Sequence, residues 1–381
     1  MEKQYGREVA KQIVKLIKRL IVIGLKKIDI YIIKKFLGTY IFSILLIISV
    51  SVMFDFNEKV DYFIKNAAPA KAIVFDYYLN FIPYYANLFS SLFTFISVIF
   101  FTSKMADNSE VIAMLSSGIN FNRLMRPYMI SALIIALTTF LLNSFIIPPA
   151  NITRIEFQNT YIKNKRVDYA SNIQFEVEPG LIAFFNSFNA ETRRGDRFSL
   201  DRFEGKELVS RLTAKSIVHD SAYHWTINNY TIRNFIGMKE EIIEGEKLDT
   251  ILRVIPSDFL IAVDDSEQMS TPALKKYINR QKKRGIGNIQ NFEIEYHKRF
   301  AMSFAAFILT IIGASLSSRK IKGGMGFNIG MGLLLSFSYI LFMQITSSFA
   351  ISGTVSPLIA VWIPNILYSF IAAYLFAKAP R

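Results

Sequence analysis

Five stretches of this chain contain no Asp, Glu, Lys or Arg: Phe36 to Phe54, Tyr77 to Ser103, Pro127 to Thr153, Phe300 to Ser318, and Gly323 to Ala377. A helix needs about 20 apolar residues to cross the hydrocarbon of a bilayer, which admits no unpaired backbone. The first four stretches suit one crossing each. The last is long enough for two, and "SGTVSP" at 352 to 357 supplies a turn between them. The pattern predicts six transmembrane helices. Composition agrees, since 52% of the 381 residues are hydrophobic, 34 are Phe and only 19% are charged.

Orientation follows from the cations. Residues 1 to 35 hold ten Lys and Arg. Lys104, Arg123 and Arg126 after the second run, Arg319, Lys320 and Lys322 after the fourth, and Lys378 and Arg381 at the end bring these segments to 18 cations against five acids. Asp55 to Asp76 carries −1 and Arg154 to Arg299 only +2, so the formal +14 lies almost wholly on one side of the map. The positive-inside rule makes that side, with both termini, cytoplasmic. Such an excess reports topology and contact with anionic lipid, and a nucleic-acid partner is not expected. "LIVIGL" is short and basic residues resume at once, which argues against a cleaved signal peptide. Residues 9 to 25 read either as a basic amphipathic helix lying along the membrane or as an unstructured extension.

The chain therefore divides into a basic cytoplasmic segment (1–35), spans one to three (36–153) with a short loop helix at 108–118, an external domain (154–270), a helical linker (271–299) and spans four to six (300–381). In the external domain "IQFEVEPGLIAFFNSF", "LVSRLTAKSIVHD" and "YHWTINNYTIRNFIG" mix β-branched and aromatic residues with polar ones, with "EPG" and "ETRRGDRFSLDRFEGKE" read as turn-like breaks. They predict an antiparallel sandwich or β-jelly roll inserted between three spans and three spans. In the linker, Thr271 suits a cap, Pro272 a first helical position and Gly285 a stop. The helix so defined carries Lys275, Lys276, Arg280, Lys282, Lys283 and Arg284. Those cations fit either a solvated face or contact with lipid phosphates.

Several chemistries lack their residues. Without cysteine there is no disulfide and no thiolate metal site. The phosphate loop GxxxxGK[ST] is absent, as are HExxH and GxSxG. His219, His224 and His297 form no recognisable ligand spacing. The spans hold Asn80, Asn87, Asn143, Asn328, Gln344 and Asn365, with Pro83 and Pro364 as candidate kinks, but almost no ionisable groups. Ion-coupled carriers use such groups at mid-membrane. If this chain moves something, the energy comes from a partner. No cofactor of its own is expected.

The loop "NSEVIAMLSSGINFNRLMRP" (108–127) is the informative one. With Asn108 or Ser109 as cap, Glu110 falls in the first turn, where an acid suits the helix dipole. Val111, Met114 and Leu115 make one apolar face, Gly118 can end the helix, and Arg123 and Arg126 can hold the lipid interface. Spacing alone leaves two readings open. One is an interfacial loop helix; the other is a docking helix that presents one carboxylate to an arginine of a soluble motor.

"SEVIAMLSSGINFNRLMRPYMISA" resembles the coupling segment of the lipopolysaccharide-export permease family, the LptF/LptG proteins: an acid, small and apolar residues, Ser-Gly, then a basic residue before Pro. The resemblance continues through "FDYYLNFIPYYANLFSSLFTFISVIFFTSKMA", "YHKRFAMSFAAFILTIIGASLSSRKIKGGMGFNIGMGLLLSFSYILF" and "SGTVSPLIAVWIPNILYSF", covering nearly everything from about residue 27. It implies a permease subunit of an ABC transporter in the cell inner membrane, with its central domain periplasmic. That subunit works with a sister permease, an LptB-like ATPase dimer that uses ATP and magnesium, and LptC/LptA-like jelly-roll bridge proteins. The cargo would be lipopolysaccharide, taken from the membrane and passed to the bridge. In this frame Glu110 matches the acid that meets the ATPase, Ala113 and Gly118 shape the docking helix, and Met114 and Arg123 belong to the same coupling segment. Lys59 and Lys65 lie where family members carry cations for substrate phosphates.

Two competing classes make different demands. A membrane-anchored structural or sensing protein would use the external β domain to bind a partner and would co-purify with no ATPase. A membrane enzyme would need an acid–base pair at the interface, for which Asp55, Glu58 and Asp61 are the clustered acids.

Overall fold

The computed structural model describes residues 25–162, 169–237, 239–256, 265–283, 289–319 and 324–379. All but the last residue of the 9–25 stretch lies outside these, as do Arg284, Gly285, Lys320, Lys322 and Arg381. The chain forms two compact units, one of residues 1–162 with 294–381 and one of residues 163–293.

The first unit is helical. Helix α1, Lys27–Lys65, is longer than the charge-free run inside it, because its ends carry their own polar anchors. Asp29 sits in the first turn and accepts from the Lys26 backbone N–H at 2.9 Å, and Lys65 lies in the last turn, each charge suiting the helix dipole. At 1.5 Å per residue such a helix is about 58 Å long, well beyond the ~30 Å hydrocarbon thickness. Residues 55 to 65, read in the sequence as loop, are therefore helix. The turn follows at Asn66 and Ala67, the latter with φ +48°.

The second apolar run is not one straight helix. It comprises α2, Ala70–Leu88, and α3, Ser90–Asp107, bent by 58°. The bend falls at Phe89 rather than at Pro83 and sits beside a polar seam. There Ser90 Oγ lies 2.7 Å from the Tyr40 hydroxyl and 3.1 Å from Thr139 Oγ1. Helix α4 spans Glu110–Ser116 and α5 spans Phe121–Tyr161. Helix α5 contains a π-helical stretch, Leu142–Ile146, directly before Pro148 and Pro149. Neither proline can donate to the preceding turn, and a widened turn accommodates that loss. After the β unit come α8, Gln290–Ser317, α9, Gly324–Ile351, and α10, Pro357–Ala377. Among the described residues five helices are long and apolar enough to cross a membrane, and the bent pair makes a sixth if counted as one span. This is a multi-pass membrane protein.

Polar residues inside these helices mostly bridge neighbours. Asn87 donates to Asn143 at 2.7 Å, Asn328 to Ser103 at 3.1 Å, and Asn365 to the Ala301 carbonyl at 2.9 Å. Asn80 instead bonds its own helix, and Gln344 is exposed. Such bonds hold helices together where lipid offers no hydrophobic gradient.

The described residues of the second unit form six antiparallel strands in consecutive order: β1 Tyr169–Glu178, β2 Leu181–Asn189, β3 Arg194–Glu204, β4 Glu207–Ser221, β5 His224–Ile236 and β6 Lys239–Ile251. The sequence predicted a sandwich or jelly roll. The described strands form one sheet without Greek-key crossings, and its interior comes from curling. Rings on β2 and β5 show this. Trp225 lies 6.1 Å from both Phe185 and Phe188, although three strand spacings in a flat sheet amount to about 14 Å.

The curl has a sequence origin. In all five strand pairs one pairing is missing while the register on either side stays the same, along the row Asn172, Asn186, Arg197, Lys215, Asn229 and Glu246. Arg197 and Asn229 on that row have φ near +50°. Across it the buried residues stand three apart, as in Phe185 and Phe188, Gly195 and Phe198, Ala214 and Ile217. A strand that stayed regular would bury residues two or four apart, so the row is a crease at which the inward face changes parity. Gly195 is needed there, since a Cβ would lie 2.7 Å from the Phe185 ring. Elsewhere Asp201 holds Arg211 in a bidentate pair across β3 and β4, which pushes the guanidinium pKa above its ordinary value. Helix α6, Asp265–Gln268, is one turn. Helix α7, Thr271–Lys283, begins at Thr271 itself, one residue before the sequence reading, and buries Leu274 and Ile278 while exposing Lys275, Lys276, Lys282 and Lys283.

Candidate functional site

The loop singled out in the sequence folds as a short helix set on the ends of longer ones. Two residues separate α3 from α4, and the reversal is made by Ser109 in the left-handed region at φ +61°. The expected side-chain cap is therefore missing: Ser109 occupies the cap position, but only its carbonyl takes part, accepting from Ala113 at 2.9 Å. At the other end Gly118, φ +87°, closes the helix as read. Its N–H donates to the Leu115 carbonyl at 3.0 Å and the Ile119 N–H to the Met114 carbonyl at 3.3 Å, the two bonds of a Schellman motif. A Cβ at Gly118 would meet nothing, so its substitution probes the backbone alone. Gly118→Ala is expected to destabilise this loop by about 1–2 kcal/mol. The check is faster amide exchange across residues 110 to 119 with the remaining helices unchanged.

The apolar face is where the spacing put it. Val111 is fully buried with Ile32, Phe36, Phe101, Phe121 and Met125, and Met114 and Leu115 pack against the same cluster. The opposite face is open: Ile112 is 50% exposed, and Ala113, Ser116 and Ser117 are exposed. An isoleucine left uncovered among small residues, on a helix whose other side packs into the core through Val111, marks a surface that can accept a partner.

Glu110 is half-buried at the N-terminus of α4. The Tyr31 hydroxyl donates to its Oε2 at 2.9 Å, and Asn108 Nδ2 approaches Oε1 at 3.4 Å. Arg123 behaves differently from the sequence reading. Instead of facing lipid, it forms a bidentate pair with Asp29 at 2.6 and 2.5 Å. The Asp29 side chain is only 3% exposed, so it requires a cation, and α1 brings it opposite the first turn of α5. Sequence reasoning missed Asp29, Tyr31 and Ile112. The first two lie some 80 to 95 residues from their partners, and only packing shows that Ile112 is left over.

The cations read as substrate contacts separate. Lys59 is engaged by buried Asp55 one turn away, lies 2.5 Å from the Tyr77 hydroxyl, and has its charge over the Tyr77 ring. Tyr77 and Tyr78 both donate to Asp55, at 3.1 and 3.3 Å. Lys59 is thus held in a neutralised cluster, and the same cluster engages Asp55 while Glu58 and Asp61 stay exposed. Lys65 is exposed at the end of α1. Nearby, buried Arg154 stacks its guanidinium 4.3 Å from the Tyr84 ring centroid. Among the described residues no group of three or more His, Asp or Glu could hold a metal ion.

These features define the class: a multi-pass helical membrane protein with a six-stranded antiparallel sheet in mid-chain and a packed loop helix headed by one acid. The family model described as "Lipopolysaccharide export system permease LptF/LptG" matches residues 30–378, and the chain belongs to that family. No curated protein matches it. As a family member it is a permease component of a lipopolysaccharide export system.

Proposed function

We propose that this chain is the permease half of an ABC-type exporter that lifts lipopolysaccharide out of the inner membrane and hands it to a periplasmic bridge. The supporting observation is α4. It is locked to the helical unit through Val111, open at Ile112 and Ala113, and headed by a carboxylate held in place by Tyr31. On this reading a separate ATPase dimer grips α4, its arginine meets Glu110, and the family's sister permease completes the passage. The division of labour has a thermodynamic reason. Each methylene removed from hydrocarbon is worth about 0.8 kcal/mol, so a lipid with several acyl chains needs both an apolar path and an outside energy source.

The β unit suits the path. Phe175, Ala183, Leu200, Leu212, Ile232 and Ile243 lie in one register row across all six strands, buried at β1 and exposed at β6. Acyl chains would follow this row toward β6, an edge strand whose free backbone groups can pair with a strand of the bridge protein. Exposed Lys65 is the cation assigned to lipid phosphate, with Lys59 supporting the same end of α1 from within its cluster. The test is gentle affinity purification. A stoichiometric ATPase together with a second, non-identical permease is the expected result. Repeated recovery of the chain without any ATPase, under conditions that keep it folded, would overturn the reading.

A further inference from the structure

Glu110 is not a free side chain awaiting a partner. Tyr31 holds one carboxylate oxygen, Asn108 approaches the other, and the Tyr31 ring lies under the Lys35 ammonium at 5.5 Å. Two residues earlier in α1, Asp29 clamps Arg123 with two bonds, and Arg123 lies in the first turn of α5, just beyond α4. Residues two apart on a helix point in different directions, so the foot of α1 takes hold of the loop on both sides of α4. Between these polar ties Ile32 and Phe36 of α1 share the buried cluster with Val111. The docking loop and the first span therefore meet through an ion pair, a charge-assisted hydrogen bond and an apolar seam.

We infer that Tyr31 is a positioning residue for Glu110, fixing the carboxylate that α4 presents and tying it to the first span. The inference rests on the reading of α4 as a docking helix and deepens it. A carboxylate already oriented loses less rotamer freedom when a guanidinium arrives, and it turns that contact into a pull on α1. Phenylalanine at this position keeps the ring over which Lys35 sits and removes only the donor. The position is 37% exposed, so the fold tolerates the exchange.

The test is a double-mutant cycle of Tyr31→Phe and Glu110→Ala in the full-length protein, read by amide exchange across residues 108 to 118. Tyr31→Phe is expected to speed exchange there about threefold to tenfold. It should add less than twofold once Glu110→Ala is present, since the bond is then already lost. An unchanged loop in Tyr31→Phe, or a full additive effect in the Glu110→Ala background, overturns the inference. The same four proteins are then titrated with the co-purifying ATPase. Coupled exchange together with weaker binding for Tyr31→Phe, again only while Glu110 is present, supports both the tie and its purpose. Coupled exchange with normal binding in Glu110→Ala leaves the tie standing and removes the docking reading instead.

Discussion

Glu110→Lys is expected to abolish export while the protein still inserts and folds. The carboxylate is half-buried at the first turn of α4, and its only described side-chain partners are Tyr31 and Asn108, so no packed core depends on it. Reversal has two effects that act together. It places a cation at the positive end of a helix dipole, and it sets that cation against the arginine expected on the ATPase. Losing one member of a buried, hydrogen-bonded charge pair at an interface costs about 2–5 kcal/mol, and repulsion adds to that. Association should fall by about 30-fold or more, with lipid release falling in step. Glu110→Gln, which still accepts from Tyr31 but carries no charge, should lie between. Binding of the purified ATPase to each variant in lipid nanodiscs is the measurement. Wild-type binding by the Lys variant would remove Glu110 from the interface.

Trp225→Ala is the second large effect, and it acts on the β unit. Trp225 has no exposed surface, touches Phe185, Phe188 and His219, and donates from Nε1 to the Val254 carbonyl at 3.0 Å. Its ring joins β5 to β2 across the curl. Deleting an indole from such a site leaves a cavity and an orphaned carbonyl and costs about 3–5 kcal/mol. Against a typical total of about 5–15 kcal/mol, the unit should melt far earlier or be degraded in cells. Trp225→Phe keeps most of the ring and loses the hydrogen bond, so about 1–2 kcal/mol is expected. Protease resistance of residues 169 to 256 against temperature distinguishes these cases. Equal resistance of Trp225→Ala and the parent would show that the aromatic interior is not what holds the sheet curled.

The parts of this molecule that were legible in the sequence are those governed by local rules. Charge-free runs located the membrane helices, because burial of charge in hydrocarbon is costly wherever it occurs. The three-and-four spacing of Val111, Met114 and Leu115 placed the inner face of α4, and Gly118 marked its end. What the sequence left hidden depends on contacts across long separations. Arg123 read as an anchor at the lipid interface, and only its pairing with Asp29, to which the sequence reading gave no role, removes it from there. Lys59 read as an available cation because its neutralisation requires Tyr77 and Tyr78 from α2 to close over Asp55. The single curled sheet was obscured for a related reason. The polar crease disrupts strict alternation within each strand, so β1, β2, β4 and β5 were visible, whereas β3, whose charged sequence "RGDRFSLDRFE" read as a turn-like break, the charged β6 and the common bend were not.

The central claim is that this chain shapes the passage and takes its energy from a separate nucleotide-hydrolysing subunit at α4. The chain has no cysteine, so one placed at exposed Ile112 is unique in the protein. In sealed inner-membrane vesicles and intact cells, that thiol should be reached only from the cytoplasmic side. A short bifunctional reagent should then join it to the ATPase subunit, with a yield that falls in the Glu110→Lys background. Labelling from the opposite face, or crosslinks that never include an ATPase while the complex exports lipid, would contradict the account.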